Sequence, residues 1–484
     1  MNQDNGGIIG KINTPTTSVA SGVWTLDSQF ESQSSSIWPL AFPQTTFTNS
    51  CRLNKSDSPY LNRTNGTATN NDKYTFSLWT KRGIVSSAFE FLIEGWTANG
   101  DTTCGILRFR SDDRLDFMGY NTVYRRTTRV FRDISAWYNI IIAVDTTQST
   151  ASDRIKMYIN GVEETAFDTN NNPSQNANTG INNDSANLNL FRRYLGSVND
   201  LHYGGYCTEY ILVDGQQLTP TSFGATNPVT NIWEPIAYAG TYGTNGFKLN
   251  FADSSSLGDD TSGNGNDFTA NNLASTDQST DTCSNNFCLL NPLDITGSVT
   301  ASEGNTVFQG GRYKANFGVS SGKWYWEAKR LNAPDNAYIG IKADDGDWNN
   351  SYNNSYTYYT SNGNYYLNGS SQGSYGSSST TNDILIFALD MDNGKFYVGE
   401  NGTFYNSGDP ASGTNPMASS ISGTYLPVVI NNSASGTDQY SFNFGNPSFT
   451  ISSGNADANG HGNFEYAPPS GFFALCTKNL AEFG

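Results

Sequence analysis

The sequence is poor in charged residues and has no long apolar segment, and both shortages exclude classes of protein. Charged residues make up 15% of the 484 positions, and 44 acidic against 27 basic residues give a net charge of −17. Nucleic acids and anionic membranes attract basic proteins, so this balance argues against such partners. The longest apolar runs, such as residues 140–144, are strand-length, whereas a membrane-spanning helix needs about 20 residues. We therefore expect a soluble protein with no nucleic-acid partner and no membrane insertion.

Residue types that catalysis and metal binding need are also scarce. The two histidines, His202 and His461, leave few possible bases for a Ser-His-Asp or Cys-His site. Six cysteines are too sparse for a disulfide scaffold in so long a chain, so we expect free thiols and no metal or cofactor. Calcium stays open as an alternative, because residues 259–267 alternate oxygen-bearing side chains with glycine. A Gly/Asn turn is the interpretation we prefer there.

Glycine and aromatic residues are abundant, and together they favour strands and turns over helices. The chain has 48 glycines, 27 tyrosines, 28 phenylalanines and 9 tryptophans. Aromatic residues suit pleated surfaces, and glycine and asparagine suit turns with positive φ. Short alternating segments recur without a sustained helical period, and Asn160-Gly161 is a typical hairpin turn. We predict an all-β protein with two antiparallel β-sandwiches and an irregular N-terminal segment.

The composition divides the chain into four predicted segments. They are an N-terminal attachment segment (1–47), a first β domain that is a sandwich or jelly roll (48–228), a connector with extra strands (229–286) and a second sandwich with a C-terminal extension (287–484). The first segment is polar with a few large anchors, Trp24, Phe30 and Trp38. Such a segment docks onto another protein or packs as a strap on its own first domain. Both alternatives stay open.

Four motifs in the first β unit resemble the laminin-G-like, concanavalin-A-like jelly roll. They are Ser-Pro-Tyr-Leu (58–61), Phe-Ser-Leu-Trp (76–79), Ser-Ala-Trp-Tyr (135–138) and Met-Tyr-Ile-Asn-Gly-Val (157–162). The resemblance implies a two-sheet sandwich of the kind found in lectins and also in some glycosidases. It does not by itself decide between binding and catalysis.

The last unit resembles a SPRY domain. The motifs that carry the resemblance are Ser-Gly-Lys-Trp-Tyr-Trp-Glu (321–327), Ile-Gly-Ile (339–341), Ala-Leu-Asp-Met-Asp-Asn-Gly-Lys (388–395) and Ser-Phe-Asn-Phe-Gly (441–445). This resemblance implies a second antiparallel sandwich that serves in binding.

The combination of both units is similar to a group of structural proteins from tailed phages of marine bacteria. The similarity includes Ser-Gly-Val-Trp-Thr-Leu (21–26), Tyr-Ala-Pro-Pro-Ser-Gly-Phe (466–472) and Ala-Leu-Cys-Thr-Lys-Asn-Leu (474–480). It implies a protein located in the virion, assembled in the host bacterial cytoplasm, as part of a tail fibre or other surface appendage. Its implied partners are other virion proteins through residues 1–47 and a host-cell glycan or receptor. A homo-oligomer is expected by analogy.

A tyrosine-rich stretch in the last unit is the predicted ligand-binding surface. Its predicted contact residues are Trp348, Tyr352, Tyr356, Tyr358 and Tyr359. Rigid amphipathic rings among asparagines and serines are typical of adaptable binding loops. Alternation along a strand could instead place half of these tyrosines in the interior.

Two charged stretches have structural interpretations that we prefer over functional ones. Asp390 and Asp392 have the spacing of a carboxylate pair on one strand face, but they sit at a hairpin turn beside Asn393-Gly394. The basic residues 125–132 could bind an acidic subunit or an anionic polysaccharide, or pair with acids of this chain, which we prefer.

The sequence therefore predicts a non-enzymatic phage structural protein that displays glycan- or receptor-binding sandwiches. One alternative is a capsid or tail decoration protein with a purely architectural role. A second alternative is a polysaccharide-degrading enzyme of the appendage. Such an enzyme needs a pair of carboxylates, and we find no suitable pair in this sequence.

Overall fold

Strands dominate the computed structural model, as the sequence predicted. The described residues are 32, 46–83, 85, 88–97, 104–119, 121–194, 199–227, 230–332, 337–345, 352–431 and 437–484. A short α-helix, α1, spans Thr477–Phe483, and short 3-10 turns span Lys55–Asp57, Ala151–Asp153, Pro220–Ser222, Ser275–Asp277, Glu303–Asn305 and Tyr405–Ser407. No helix in these ranges has the length and apolar character needed to cross a membrane.

The chain divides into two compact units, one of residues 1–46 and 220–239 and the other of residues 47–219 and 240–484. The larger unit contains both sandwiches. The predicted anchors Trp24, Phe30 and Trp38 lie outside the described residues, so their docking role stays a prediction.

The first sandwich and the smaller unit are built from eighteen described strands. They are β1 (Ser50–Leu53), β2 (Tyr60–Thr64), β3 (Lys73–Arg82), β4 (Glu90–Trp96), β5 (Gly105–Phe109), β6 (Arg114–Gly119), β7 (Thr122–Val130), β8 (Tyr138–Asp145), β9 (Ile155–Ile159), β10 (Val162–Glu163), β11 (Phe167–Asn170), β12 (Asn187–Leu190), β13 (Gly205–Asp214), β14 (Gly224–Thr226), β15 (Trp233–Pro235), β16 (Phe247–Leu249), β17 (Thr269–Asn271) and β18 (Gln278–Ser279).

Two antiparallel sheets form the first sandwich. Sheet A has the order β10-β9-β8-β3-β13-β1-β18, with β16 also paired to β13, and sheet B has the order β11-β7-β6-β5-β4-β12-β2-β17. Strands β16, β17 and β18, which lie within residues 229–286, pair with β13, β2 and β1. These strands therefore extend the sheets of the first sandwich. In the smaller unit, β14 pairs only with β15 among the described strands.

One apolar core joins the two sheets of the first sandwich. Phe76 and Leu78 of β3 enter it from sheet A, and Leu107 and Phe117 enter it from sheet B. Phe76 and Leu78 are two residues apart and so share one face of β3, and Leu107 lies opposite Phe117 in the ladder of β5 and β6, so both share one face of sheet B. The intervening residues of β4, β5, β6 and β12 therefore lie on the opposite face of sheet B, which we call its outer face.

The second sandwich contains the remaining described strands. They are β19 (Leu290–Thr296), β20 (Thr300–Ser302), β21 (Val307–Gln309), β22 (Arg312–Ala315), β23 (Lys323–Asn332), β24 (Ala337–Ala343), β25 (Ser355–Tyr359), β26 (Asn364–Leu367), β27 (Ser370–Ser374), β28 (Ile384–Asp390), β29 (Lys395–Glu400), β30 (Thr403–Phe404), β31 (Tyr425–Asn431), β32 (Gln439–Asn443) and β33 (Phe473–Ala474). Sheet C has the order β19-β22-β31-β24-β25-β26-β27, and sheet D has the order β20-β21-β32-β23-β28-β29-β30, with β33 parallel to β23.

The core of the second sandwich is rich in aromatic rings. Trp326 of β23 stacks on Phe387 of β28 with 5.3 Å between ring centroids and 10° between planes. Ile339 and Ile341 of β24 complete the core from sheet C. Together with the first sandwich, this confirms the predicted all-β class with two antiparallel β-sandwiches.

The C-terminal extension covers the far side of sheet D. Tyr325 of β23 packs against Phe464 and Phe472 in an apolar cluster separate from the main core. The neighbouring Glu327 is fully buried and accepts the backbone N–H groups of Glu465 at 3.0 Å and Tyr466 at 2.8 Å. Burial raises the pKa of Glu327. The extension is therefore an integral part of this sandwich.

A buried polar interface connects the two sandwiches. Arg52 of β1 is fully buried, and its Nη1 donates to the carbonyl oxygen of Pro447 at 3.0 Å. Its Nε lies 3.6 Å from a carboxylate oxygen of Glu303. The hydroxyl of Tyr206 donates to the carbonyl oxygen of Gly304 at 2.8 Å. Because buried polar groups are costly to leave unpaired, these contacts hold the sandwiches in one arrangement.

Candidate functional site

The outer face of sheet B gathers polar and aromatic side chains. On β4, Ile93 belongs to the core, so Glu94 and Trp96 alternate onto the outer face. Asn189 of β12 lies directly opposite Glu94 in the ladder. We call the set that meets here the outer-face cluster, which consists of Tyr60, Glu94, Trp96, Asn189, Arg192 and Tyr194.

An arginine stacked between two tyrosines forms the centre of the outer-face cluster. The guanidinium carbon of Arg192 lies 3.4 Å from the ring centroid of Tyr60 and 4.3 Å from that of Tyr194. Its Nε and Nη2 donate to Oδ1 of Asn189 at 3.0 and 2.7 Å. The ring of Trp96 follows, 6.1 Å from that of Tyr194. Cation–π contacts and two hydrogen bonds therefore hold a row of aromatic and planar groups in place.

Three polar atoms of this cluster are buried without a hydrogen-bond partner among the described residues. They are Oε1 of Glu94, Nε1 of Trp96 and Nδ2 of Asn189. The other carboxylate oxygen of Glu94 accepts the backbone N–H of Tyr194 at 2.5 Å. Buried polar groups in folded proteins are nearly always paired. The cluster therefore holds one acceptor and two donors whose hydrogen-bonding capacity the described residues do not use.

Burial changes the protonation of Glu94. Its side chain is fully buried, and this burial raises the pKa of the carboxyl group to about 7. The charge of Asp200 contributes in the same direction, whereas the N–H of Tyr194 and the nearby guanidiniums of Arg192 and Arg193 oppose the rise. Glu94 therefore changes charge close to neutral pH.

Between pH 4.5 and about 7, the buried Glu94 is expected to lower the stability of the protein, and Glu94→Gln should not show this contribution. Because the pKa is higher in the folded protein than in the unfolded chain, the folded protein holds the proton longer. Stability then falls as the pH rises from the ordinary value of 4.5 towards 7. A shift of this size corresponds to about 3 kcal/mol. Glu327 and Asp281, whose pKa values burial also raises, keep their own contributions in both proteins. Urea unfolding at pH 5 and pH 8 should therefore show a fall that is larger in the wild type than in Glu94→Gln by about this amount; an equal fall in both would contradict it.

A second group of charges lies further along the same face. The buried carboxylate of Asp116 accepts from Nε of Arg126 at 2.8 Å and also contacts Arg110 at 3.3 Å and Arg108 at 3.4 Å. The guanidinium of Arg108 lies 4.2 Å from the ring centroid of Phe89. Arg110 also lies 3.1 Å from Asp112, and Arg126 lies 4.0 Å from Asp168, so acids of the same sandwich largely balance these guanidiniums.

The basic stretch 125–132 is paired with acids of this chain, which confirms the preferred interpretation. Besides the contact of Arg126, Arg129 lies 3.1 Å from Glu164 and Arg132 lies 2.7 Å from Asp113. The side chain of Arg125 donates to the carbonyl oxygens of Asn171 and Ile155. This stretch therefore stabilises the sandwich instead of presenting a bare basic patch.

The predicted tyrosine surface divides between the core and the outside of sheet C. Tyr358 is fully buried in the core, where it stacks on Tyr405 at 5.4 Å and its hydroxyl donates to the carbonyl oxygen of Ser377. Tyr356, two residues earlier on β25, packs against the same core. The prediction of Tyr358 as a ligand contact is therefore wrong, because strand alternation places its side chain inside.

Tyr359 and Tyr352 lie in a second aromatic cluster on the opposite side of sheet C. The ring of Tyr338 stacks on Tyr359 at 4.4 Å and meets Tyr352 at 5.2 Å and Tyr366 at 4.9 Å, both edge-on. All four rings are partly exposed. Trp348 lies outside the described residues. Ligand binding by Tyr352 and Tyr359 stays a prediction.

The remaining candidates have local structural roles. Asp390 pairs with Lys323 at 3.0 Å and accepts the N–H of Asn393 at 3.0 Å, while Asp392 accepts the N–H of Gly322 at 2.8 Å. These contacts confirm the hairpin-turn interpretation of the two aspartates. Nδ1 of the buried His202 lies 3.2 Å from the carbonyl oxygen of Pro59, and burial lowers the pKa of its imidazole.

The loop considered for calcium is closed by its own hydrogen bonds. Oδ1 of Asp260 accepts the N–H groups of Lys248 at 2.8 Å and Ser262 at 2.9 Å, and Oδ2 accepts the N–H of Asn266 at 2.8 Å. This is the arrangement of a capped turn. Within the described ranges, no three His, Cys, Asp or Glu side chains are grouped as metal ligands. The six cysteines are free thiols.

Sequence reasoning missed the outer-face cluster because its members are dispersed. They come from β2, β4, β12 and the segment after β12, and only the pairing of these strands brings them together. One local signal existed: the alternation Ile93-Glu94-Gly95-Trp96 places an acid and a large ring on the face opposite an apolar residue.

Comparison with known proteins supports the predicted fold of the first sandwich. Residues 55–203 match the family model of the concanavalin A-like lectin/glucanases superfamily. Among solved structures, the chain is similar to the SPRY domain of human HERC1, with 20% identity and a TM-score of 0.27 over 32% of this chain and 96% of that one. It is also similar to the native heptameric SAP-like pentraxin from Limulus polyphemus, with 13% identity and a TM-score of 0.26 over 37% and 76%. No curated protein matches the chain.

Proposed function

We propose that this chain is a non-enzymatic structural protein of a phage virion that binds a host-cell glycan or receptor. It would belong to a tail fibre or another surface appendage. The lectin-like fold of residues 55–203 supports a binding role, and the motifs at 21–26 and 466–480 support the virion assignment through their resemblance.

The outer-face cluster is the observation that carries the binding role. The partly exposed rings of Tyr60 and Tyr194 provide apolar surface, and Oε1 of Glu94 and Nδ2 of Asn189 lie in the same cluster with unused hydrogen-bonding capacity. A sugar presents the complementary features, because its ring faces are apolar and its edges carry hydroxyl groups. Several copies on one particle would strengthen weak single-site binding through avidity. The tyrosines around Tyr338 are a second candidate surface.

The surroundings of Glu94 support binding over hydrolysis. Retaining glycosidases need a second carboxylate about 5 Å away. In the ladder, the residues opposite Glu94 are Ile106 and Asn189, neither of which is acidic. The charge of Asp200 raises the pKa of Glu94. The carboxylate of Asp200 itself accepts two hydrogen bonds from Arg193, at 2.7 and 2.6 Å. Incubation with host polysaccharide should therefore release no reducing ends, and their release would contradict the non-enzymatic role.

Immunogold labelling of intact phage particles tests the virion assignment. An antibody raised against residues 287–484 is expected to place gold at the tail or fibre tips. Gold spread over the head would contradict the appendage role and support a decoration protein. Particles without gold would overturn the virion assignment altogether.

A further inference from the structure

A lysine buried against two side chains of a distant segment lies where the two sandwiches meet. Lys81 of β3 is fully buried, and its ammonium nitrogen contacts the carboxylate of Asp281, which is also fully buried. The same nitrogen lies 2.8 Å from Oδ1 of Asn286. The binding role proposed for sheet B involves none of these three groups.

The surroundings hold all three groups in fixed positions. Nζ of Lys81 lies 4.8 Å from the ring centroid of Tyr206 and 5.6 Å from that of Trp137. Nε1 of Trp137 donates to Oδ1 of Asp281 at 3.1 Å. Nδ2 of Asn286 donates to the carbonyl oxygen of Ser135 at 2.7 Å. The amide of Asn286 is thus oriented with its carbonyl towards the lysine.

We propose that Lys81 and Asn286 form an intramolecular isopeptide bond, with Asp281 as the acid–base group that promotes it. Nζ of Lys81 attacks Cγ of Asn286 and forms the new N–C bond. The bond from Cγ to Nδ2 breaks, and Nδ2 leaves as ammonia. The acyl group moves from the carboxamide nitrogen Nδ2 to the amine Nζ, and one proton from Nζ leaves with the ammonia, so the reaction requires no oxidant, reductant or further reactant.

The environment supplies what this reaction needs. An amine attacks a carbonyl carbon only in its neutral form, and burial lowers the pKa of Lys81. Burial raises the pKa of Asp281, so its carboxylate readily takes up the proton that the amine loses. From that position Asp281 can return a proton to the departing Nδ2.

The bond would join β3 of the first sandwich to the segment that enters the second. The backbone carbonyl of Asn286 accepts the N–H of Thr477, at the start of α1, at 2.9 Å. The crosslink would close a loop between positions 81 and 286 and would restrict the unfolded chain in the way a disulfide does. It would also resist pulling between the two sandwiches.

The intact mass of the purified full-length protein under denaturing conditions tests the proposal. The expected mass is that of the sequence less one ammonia, and tandem mass spectrometry should identify one branched peptide containing both Lys81 and Asn286. The full sequence mass would overturn the proposal. Loss of ammonia without a branched peptide would also overturn it, because a succinimide loses ammonia too. Loss of one water with a Lys81–Asp281 linkage would overturn the choice of Asn286.

Three variants assign the roles. Asn286→Ala and Asp281→Asn are expected to keep the full mass of their sequences, the first because the acceptor is missing and the second because the acid–base group is missing. Asn316→Ala is the matched control, since Asn316 also donates to Ser135, from Nδ2 to Oγ at 2.8 Å, and should still lose ammonia. The wild-type mass decides the question even if a variant does not fold.

Discussion

Replacing Tyr358 by Ala is expected to lower the free energy of unfolding by about 3–5 kcal/mol, the usual cost of removing a buried aromatic ring. Tyr358 is fully buried, and the cavity would lie between the sheets of the second sandwich. Tyr358→Phe keeps the ring and loses only the hydroxyl contacts to Ser377 and Tyr405, so we expect a loss of about 1 kcal/mol.

The adjacent Tyr359 provides the matched control for this prediction. Its ring lies on the outside of sheet C, stacked on Tyr338, so Tyr359→Ala should cost only about 1 kcal/mol. Urea unfolding of the wild type and the three variants measures all these values. Equal losses for Tyr358→Ala and Tyr359→Ala would show that the two side chains do not differ in burial as the structure requires.

Replacing Arg82 by Ala is expected to destabilise the first sandwich by about 3–5 kcal/mol, because Glu90 and Asp113 lose their buried partner. They keep only the more exposed Lys55 and Arg132. Nη2 of Arg82 lies 2.9 Å from Glu90, and its Nη1 lies 2.9 Å from Asp113. Nη1 also donates to the carbonyl oxygen of Phe131 at 2.8 Å. The side chains of Arg82 and Glu90 are fully buried.

Arg132 is the matched control, since it binds the same Asp113 from the surface. Its side chain is 62% exposed, although its Nε lies 2.7 Å from the carboxylate. Exposed ion pairs contribute about 0–1 kcal/mol, so Arg132→Ala should change stability within that range. Thermal and urea unfolding of both variants compares them. A loss for Arg132→Ala as large as that for Arg82→Ala would contradict the assigned difference in burial.

The fold class followed from the sequence because the turn residues and the alternation are local signals. Asn160-Gly161 marks the turn between β9 and β10, and residues 392–394 mark the turn between β28 and β29. Both turns use positive φ, at Asn160 and Gly161 and at Gly394. Such signals require no knowledge of which strands pair across the sheet.

The candidate sites were harder to predict because they depend on which face of a strand is buried. Each residue of Tyr356-Thr357-Tyr358-Tyr359 could lie on a surface or in a core. If the pairing of this strand moved by one residue, the side chains in the core and those on the outside would change places. The register of β25 with β24, in which Tyr359 lies opposite Tyr338, decides the question. Likewise, Arg192 and Tyr60 are far apart in sequence and meet only in the folded sheet.

The buried ion pairs were beyond sequence reasoning for the same reason. Lys81 and Arg82 are neighbours at the end of β3, so their side chains point to opposite faces of the sheet. They therefore contact different partners. Lys81 reaches the segment before the second sandwich, and Arg82 reaches the acids of the first. No spacing rule connects position 81 with position 281.

The central claim is that the outer face of sheet B is the binding surface. We would test it by measuring the binding of the wild type and two tyrosine variants to a panel of host-cell glycans. Tyr194→Ala should weaken binding to the best glycan at least about tenfold, or about 1.4 kcal/mol. Tyr359→Ala, an equal truncation of a partly exposed, stacked tyrosine on sheet C, should leave the Kd unchanged. Unchanged binding by Tyr194→Ala, or a loss confined to Tyr359→Ala, would contradict the claim and move the site to the second sandwich.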